Sequence, residues 1–512
     1  MPEPPRRLRA TIAGAGLLSL VGYRFGMSAV ASRGDRLFEA YVVLSLALLG
    51  VYLLAVVAVT RRPSGDRILV ATILGFGLLF RLAVLPTPIV LSSDPYRYLW
   101  DGRVQRSGIN PYRHAPADEA LRPLRDADVY PHINRPTQVT VYPPGAEAVF
   151  ALVATVAPDS MLGWRVFVLA CDVTTGILVL GLLRRLHVPA SAVLVYAWAP
   201  LAVIEGVQAG HVDFVMLPLL LLALGWRQTG RSLRAGVALG LAILVKLYPA
   251  VLLMAWWRRG DWRFPAACGT VILAAYALYV PGVGPGVVGF LPRYFGSAED
   301  FNVGLRLFLT DGIRLAIGEP GLRALGAGVI RAMRAVGYLD ASIPLDRLLS
   351  ADEAVALRRT FARPSGDLGQ LIQLQLGYET TRALAMLALL GILAAVLLGL
   401  RRHHHAGPAG TFRTGMAAVA AYLVLVPTAL HPWYAAWILP FLTGSPSAAW
   451  LWFTGAVPLS YLKYAWEPAG LPLWVRGLEF LPLYGLLIWE ASTSRSCPDS
   501  PRPICTERPP GG

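Results

Sequence analysis

Apolar runs of about twenty residues recur along this chain, near 10–30, 38–60, 68–91, 161–186, 191–208, 211–226, 263–282, 371–400, 412–430 and 472–491. An α-helix needs ~20 mostly apolar residues to cross a hydrocarbon core. Lipid offers no partner to an unpaired backbone group, so only helices and closed barrels span it. The expected fold class is therefore all-α: a polytopic transmembrane bundle of roughly 10–14 membrane helices, with a long extracytoplasmic loop after an early span. Arg24 interrupts the first run, while 234–257 and 433–463 break near Lys246 and Thr443-Gly444-Ser445-Pro446. Those two read as membrane-dipping hairpins or short helix pairs. The chain is 55% hydrophobic and only 15% charged, where soluble domains carry about a quarter charged residues.

The net charge of +15 does not describe a nucleic-acid-binding face. Basic residues gather at span ends, as in Arg61-Arg62, Arg184-Arg185, Arg258-Arg259 and Arg401-Arg402. Such clustering marks the cytoplasmic side. If Arg6, Arg7 and Arg9 lie inside, the loops at 61–67, 184–187, 227–234, 258–263 and 401–413 fall inside too. The outer face then receives 92–145, the Gly210-His211 turn, 283–370 and His431. This divides the chain into N-terminal helices at 1–91, an extracytoplasmic catalytic loop at 92–145, a bundle at 146–491 and a disordered cytoplasmic tail at 492–512. Cys171 and Cys268 sit in apolar spans and Cys497 and Cys505 in the tail, so no disulfide framework is expected. The first hydrophobic segment carries no small-residue cleavage site and is expected to stay.

The richest outer segment runs Ser92-Ser93-Asp94-Pro95-Tyr96-Arg97-Tyr98-Leu99-Trp100-Asp101-Gly102. Helical spacing puts Asp94, Tyr98, Asp101 and Gln105 on one face, so two carboxylates share it. Two readings stand side by side. Asp94 can be the N-cap with Pro95 at the first helical position, and Asp101 can simply pair with Arg97 one turn back. Alternatively one of the carboxylates is a proton acceptor. Nearby Tyr96, Tyr98, Trp100 and Tyr112 suit either a membrane interface or a sugar ring.

Six motifs in order resemble the GT-C superfamily of integral-membrane glycosyltransferases, and within it bacterial polyprenol-phosphate-mannose-dependent mannosyltransferases. They are Asp94/Tyr98/Gly102, Asn110-Pro111-Tyr112, Tyr142-Pro143-Pro144, Gly210-His211-Val212-Asp213, Lys246-Leu247-Tyr248-Pro249 and His431-Pro432-Trp433-Tyr434. The resemblance implies a multi-pass protein of the bacterial inner membrane with an outward-facing active site. It implies transfer of a hexose, mannose above all, from a polyprenyl-phosphate donor to a lipid-linked or cell-envelope glycan, amid membrane lipids and without nucleic acid.

An inverting transfer needs a carboxylate to take the acceptor hydroxyl's proton and a cation to meet the leaving phosphate. By its match Asp94 is the candidate base, with Asp101 second. Candidate phosphate-binding cations are Arg81, Arg165, Arg293, Arg306 and Lys246, with interfacial snorkelling the alternative for the arginines. Acceptor or sugar contacts are assigned to Tyr98, Asn110, Tyr112, Tyr142, Glu205, His211, Asp213, His431 and Trp433. Glu205, His211 and Asp213 could hold a divalent metal or form a hydrogen-bonded turn; no cofactor is certain. Asp126-Ala127-Asp128 reads as a solvated loop, and His403-His404-His405 adjoins the inner arginines. A transporter or lipid flippase is the non-enzyme alternative, and a protein O-mannosyltransferase the enzyme one.

Overall fold

A computed structural model describes residues 5–291, 301–340, 342–402, 407–426, 429–466 and 471–495, and these residues form helices and turns without strands. The principal helices are α1 (Pro5–Val21), α2 (Leu37–Arg61), α3 (Arg67–Val84), α4 (Asp94–Arg106), α5 (Pro144–Val156), α6 (Met161–Arg185), α7 (Asp213–Gln228) and α8 (Ser232–Val245). They are followed by α9 (Ala250–Trp256), α10 (Arg263–Tyr279), α11 (Leu305–Ala335), α12 (Ala351–Thr360), α13 (Leu368–Arg402), α14 (Pro408–Leu425), α15 (Ala448–Ala456) and α16 (Leu473–Arg495).

The protein is a helical membrane protein, and among the described residues fewer helices are long and apolar enough to cross a membrane than there are apolar runs. Among the described residues, α3, α6, α13 and the helix ending in α2 are long and apolar enough to cross a membrane. The run at 191–208 is not one span: it bends by 60° between Ala190–Ala197 and Ala202–Gln208. Helices α5, α8 and α10 are apolar but shorter. Proline and glycine explain the shortening. Pro86 and Pro88 follow the end of α3 at Val84, and Pro249 follows the break after α8. The region around Arg24 stays helical by widening into a π segment at Gly22–Gly26. Nothing is described for 496–512, so most of the expected tail lies outside the described residues, as do His403-His404-His405 and Arg293.

Two compact units emerge. The first contains residues 1–302, 397–420 and 428–512. Inside it, close helix contacts are made possible by glycine. A Cβ at Gly236 would lie 2.3 Å from the Phe264 carbonyl oxygen, and one at Gly240 would lie 2.9 Å from that of Cys268. This four-residue spacing of small residues lets α8 and α10 touch backbone to backbone, as in membrane helix pairs generally. Gly102 does the same between α4 and α5, where a Cβ would meet the Phe150 carbonyl at 2.6 Å.

The arginine-rich turns of this unit are knitted to one another. Arg185 donates to the Gly225 carbonyl at 2.9 Å, Arg227 to that of Trp256 at 2.7 Å, and Trp256 Nε1 to that of Thr411 at 3.0 Å. The second unit contains residues 303–396 and 421–427. Its α11 kinks at Gly318 (φ 60°), ahead of Pro320, and meets α13 where Gly326 and Gly377 leave room for facing backbone. Part of the expected outer region at 283–370 is thus helical, in two segments on either side of Gly318.

Candidate active site

The site is built where α4 crosses α5 in the first unit. Ser93 occupies the N-cap without a side-chain cap bond, so Asp94 is the first residue of α4 and Pro95 the second, and the Asp94 N–H donates to Ser92 Oγ at 3.2 Å. The cap reading of Asp94 is therefore corrected. Its carboxylate turns instead to the loop, where Asn134 Nδ2 donates to Oδ1 at 2.6 Å. The loop is ordered around α4: Tyr96 stacks on His132, and Arg103 pairs with both Asp126 and Asp159. Burial by itself would raise the Asp126 carboxyl, but Arg103 and the backbone N–H groups of Tyr130 and Val129 hold it down to about 2. That places Asp126 in a loop staple.

The two carboxylates of α4 do not share an environment. Asp101 is buried and takes Arg97 Nε on both oxygens, at 2.8 and 3.0 Å, as the pairing one turn back anticipates. Burial raises its carboxyl, and Arg97 opposes that shift. Asp94 is only partly buried.

Tyr98 lies at the centre. Its ring packs on Phe150, Trp164 and Tyr142, and its hydroxyl meets the Tyr142 hydroxyl and the Val212 backbone. Both Asp94 and Asp213 act electrostatically on that hydroxyl, so the helix-start acid and the turn acid converge on one tyrosine. Gly210 makes the turn, with φ +75° and a carbonyl bonded by Trp164 Nε1 at 2.7 Å. A side chain there would be strained and would crowd Trp164 and Arg165.

Asp213 opens α7 and holds two donors, Lys246 Nζ at 3.1 Å and Trp437 Nε1 at 2.7 Å. Lys246 is the residue at which α8 stops, in extended conformation, and its ammonium sits 4.9 Å above the Tyr434 ring. A helix break at a lysine is what the interrupted hydropathy of 234–257 anticipates. Glu205, in the bent pair, accepts from Tyr461 at 3.1 Å and contacts His211 Nδ1 at 3.3 Å. His211 Nδ1 also lies 3.0 Å from the Glu205 carbonyl. The rings of His211 and His431 both stack on Trp433, at 3.8 and 4.4 Å, and Phe301 stacks on His431. The charges of Lys246, Lys463 and Arg135 all reach His431.

The structure thus brings Asp94, Tyr98, Tyr142, Asp213 and Lys246 together, and Glu205, His211, His431 and Trp433 around the adjoining turn. Asn110 and Tyr112 brace the loop. Asn110 donates to the Tyr279 carbonyl at 2.7 Å and accepts from the Tyr112 N–H, and the Tyr112 hydroxyl donates to the Tyr142 carbonyl. Arg81 is locked to Asp172 inside the bundle. Arg165 donates to the carbonyls of Val207, Thr87 and Val84, tying the turn after α3 to the bent pair. Arg306 belongs to the second unit, in the first turn of α11. Among the described residues, no group of three or more His, Cys, Asp or Glu side chains is arranged to hold a metal ion. Sequence reasoning passed over Arg135, Glu147, Trp437 and Lys463. The signal for Glu147 and Lys463 was a lone charge in an apolar run.

Residues 12–258 match the family model described as alpha-(1->6)-mannopyranosyltransferase, N-terminal domain. The matched segment holds Asp94, Tyr98, Asp213 and Lys246 and ends before His431. Neither the curated proteins nor the solved structures contain a significant match to the chain.

Proposed function

Since residues 12–258 match the alpha-(1->6)-mannopyranosyltransferase family model and the chain is a GT-C-type mannosyltransferase, we propose that it draws mannose from a polyprenyl-phosphate donor. The acceptor is a lipid-linked or cell-envelope glycan, the new linkage is α-1,6 as the family's name has it, and the reaction takes place on the extracytoplasmic face.

Asp94 is the general base. It takes the acceptor hydroxyl's proton as that oxygen bonds to the anomeric carbon, while the bond from that carbon to the phosphate oxygen breaks and the lipid phosphate leaves. The observation that carries this reading is the convergence of Asp94 and Asp213 on Tyr98, with Lys246 bound to Asp213. It links a partly exposed carboxylate and, through Asp213, a cation to one aromatic cluster. Lys246, Arg135 and Lys463, grouped about His431, meet the charge that grows on the leaving phosphate. Arg81 and Arg165 are bound to other groups, so we assign the phosphate to Lys246 in their place. Tyr98, Tyr142 and Trp433 supply rings and hydroxyls for a sugar.

Purified protein, incubated with polyprenyl-phosphate-[14C]mannose and membrane lipid extract, is expected to yield a labelled product cleaved by an α-1,6-mannosidase. Labelling from a nucleotide sugar alone would overturn the donor assignment. For the membrane side, Glu119→Cys in a chain whose native cysteines are serines should react with an impermeant thiol reagent on intact cells. Reaction only after the membrane is broken would place the loop inside.

A further inference from the structure

The seam between α4 and α5 contains two acids that the transfer chemistry leaves unused. Asp101 and Glu147 are 2% and 0% exposed, and their side chains hydrogen-bond each other. Glu147 accepts from Thr140 Oγ1 at 2.6 Å and from Gln105 Nε2 at 2.9 Å. Asp101 accepts from Arg97 Nε at 2.8 Å. The charged and titratable groups facing the pair are Arg97 on α4, Tyr112 in the loop and Tyr279 on α10, whose hydroxyl donates to Gln105 at 2.8 Å. One guanidinium serves two acids. Two anions in contact in a dry seam repel strongly, so a single cation balances them only when they hold one proton between them.

We propose that Asp101 and Glu147 share one proton and act as positioning residues, fixing Arg97 and thereby the face of α4 that presents Asp94 and Tyr98. Arg97 is the link. It donates to the Gln138 carbonyl at 3.0 Å, and its charge reaches the Tyr142 hydroxyl, on which Asp94 also acts. Its remaining nitrogen, Nη2, is buried without a partner among the described residues, so Asp101 and the Gln138 carbonyl hold the group in place. Loss of the shared proton to solvent would leave two buried anions on one cation, and the seam would relax. This rests on reading Asp94 as the base.

The test uses the full-length protein in detergent and two readouts. Infrared spectroscopy should show, at neutral pH, a protonated-carboxyl stretch that shifts in D2O, disappears on alkaline titration and is missing from Glu147→Gln. Asp94→Asn should keep it. In transfer assays the wild type should lose kcat on the alkaline side with KM little changed, whereas Glu147→Gln, neutral at every pH, should hold its own kcat to at least ~1 pH unit higher. Tyr279→Phe should keep the wild-type alkaline fall. Asp101→Asn should lower kcat about tenfold or more, because Arg97 loses the carboxylate its Nε bonds. An unchanged infrared band in Glu147→Gln, or an unchanged alkaline limb, would overturn the proposal. If Glu147→Gln does not fold, Glu147→Asp must displace the band, and a band that does not move overturns it equally. A normal band in an Asp94→Asn protein that still transfers would instead sink the assignment of Asp94 alone.

Discussion

Two acid–base pairs in apolar surroundings, Arg81–Asp172 and Lys246–Asp213, look alike in composition and differ in what surrounds them. Arg81 lies on α3 and Asp172 on α6, with side chains 4% and 1% exposed. Arg81 also donates to the carbonyls of Gly77 and Ala197, and Asp172 also accepts from Tyr196 at 2.6 Å. Asp172 lies mid-helix and Arg81 in the last turn of α3, and protein groups take up nearly all the bonding capacity of both. Lys246 stands where α8 ends, its side chain is 18% exposed, and one of its three donors meets Asp213. A buried charge whose donors are taken by protein groups is a staple, whereas a part-exposed charge with donors to spare keeps bonding capacity for a ligand. The surroundings make the distinction, since both pairs contain an aspartate and a cation.

The largest effect should come from the closed pair. Arg81→Met leaves Asp172 buried and unpaired, a loss of about 3–5 kcal/mol. The expected result is little folded protein in a thermal-unfolding assay in detergent, with recovery when Asp172→Asn is added. Normal folding combined with loss of donor binding would reverse the comparison.

The open pair should respond in function. Lys246→Met removes a charge-assisted contact and should weaken polyprenyl-phosphate-mannose binding about 10- to 100-fold. The Lys246 side chain is 18% exposed against 4% for Arg81, so water can reach the vacated space and unfolding should shift less than in Arg81→Met. Equal destabilisation in both, with donor affinity intact, would make Lys246 a second staple.

The smallest effect concerns the loop. Asp126 is held at about 2 in the folded protein, below an unfolded carboxyl near 3.9. Its stabilisation is therefore fully present above about pH 4 and lost as pH falls toward about 2. Asp126→Asn should lower the unfolding temperature slightly at pH 7 and not at pH 2. An equal deficit at both would detach the effect from the Arg103 pair.

Much of this was legible in the sequence because membranes impose simple rules. Apolar length foretold a helical bundle, and ordered motifs singled out Asp94, His211, Asp213, Lys246 and His431 as candidates. The bend at 190–208 was hidden because hydropathy runs across it without change. The cap at Asp94 was misplaced by one residue, since Ser93 and Asp94 are both good caps and only geometry separates them. Arg81 and Arg165 looked alike in the sequence because each is an arginine in an apolar run. Their roles depend on Asp172 and on three backbone carbonyls, which sequence distance conceals.

The central claim is that Asp94 accepts the proton. Asp94→Asn leaves Ser93 at the N-cap and a side chain that can still bond Asn134, so the start of α4 should persist. It cannot take a proton, and loss of a general base costs ~10²–10⁴ in rate. Single-turnover transfer from bound polyprenyl-phosphate-mannose, measured beside donor affinity, is the decisive assay. The account predicts wild-type donor affinity with transfer reduced by ~10²–10⁴. Near-normal transfer by Asp94→Asn would contradict it.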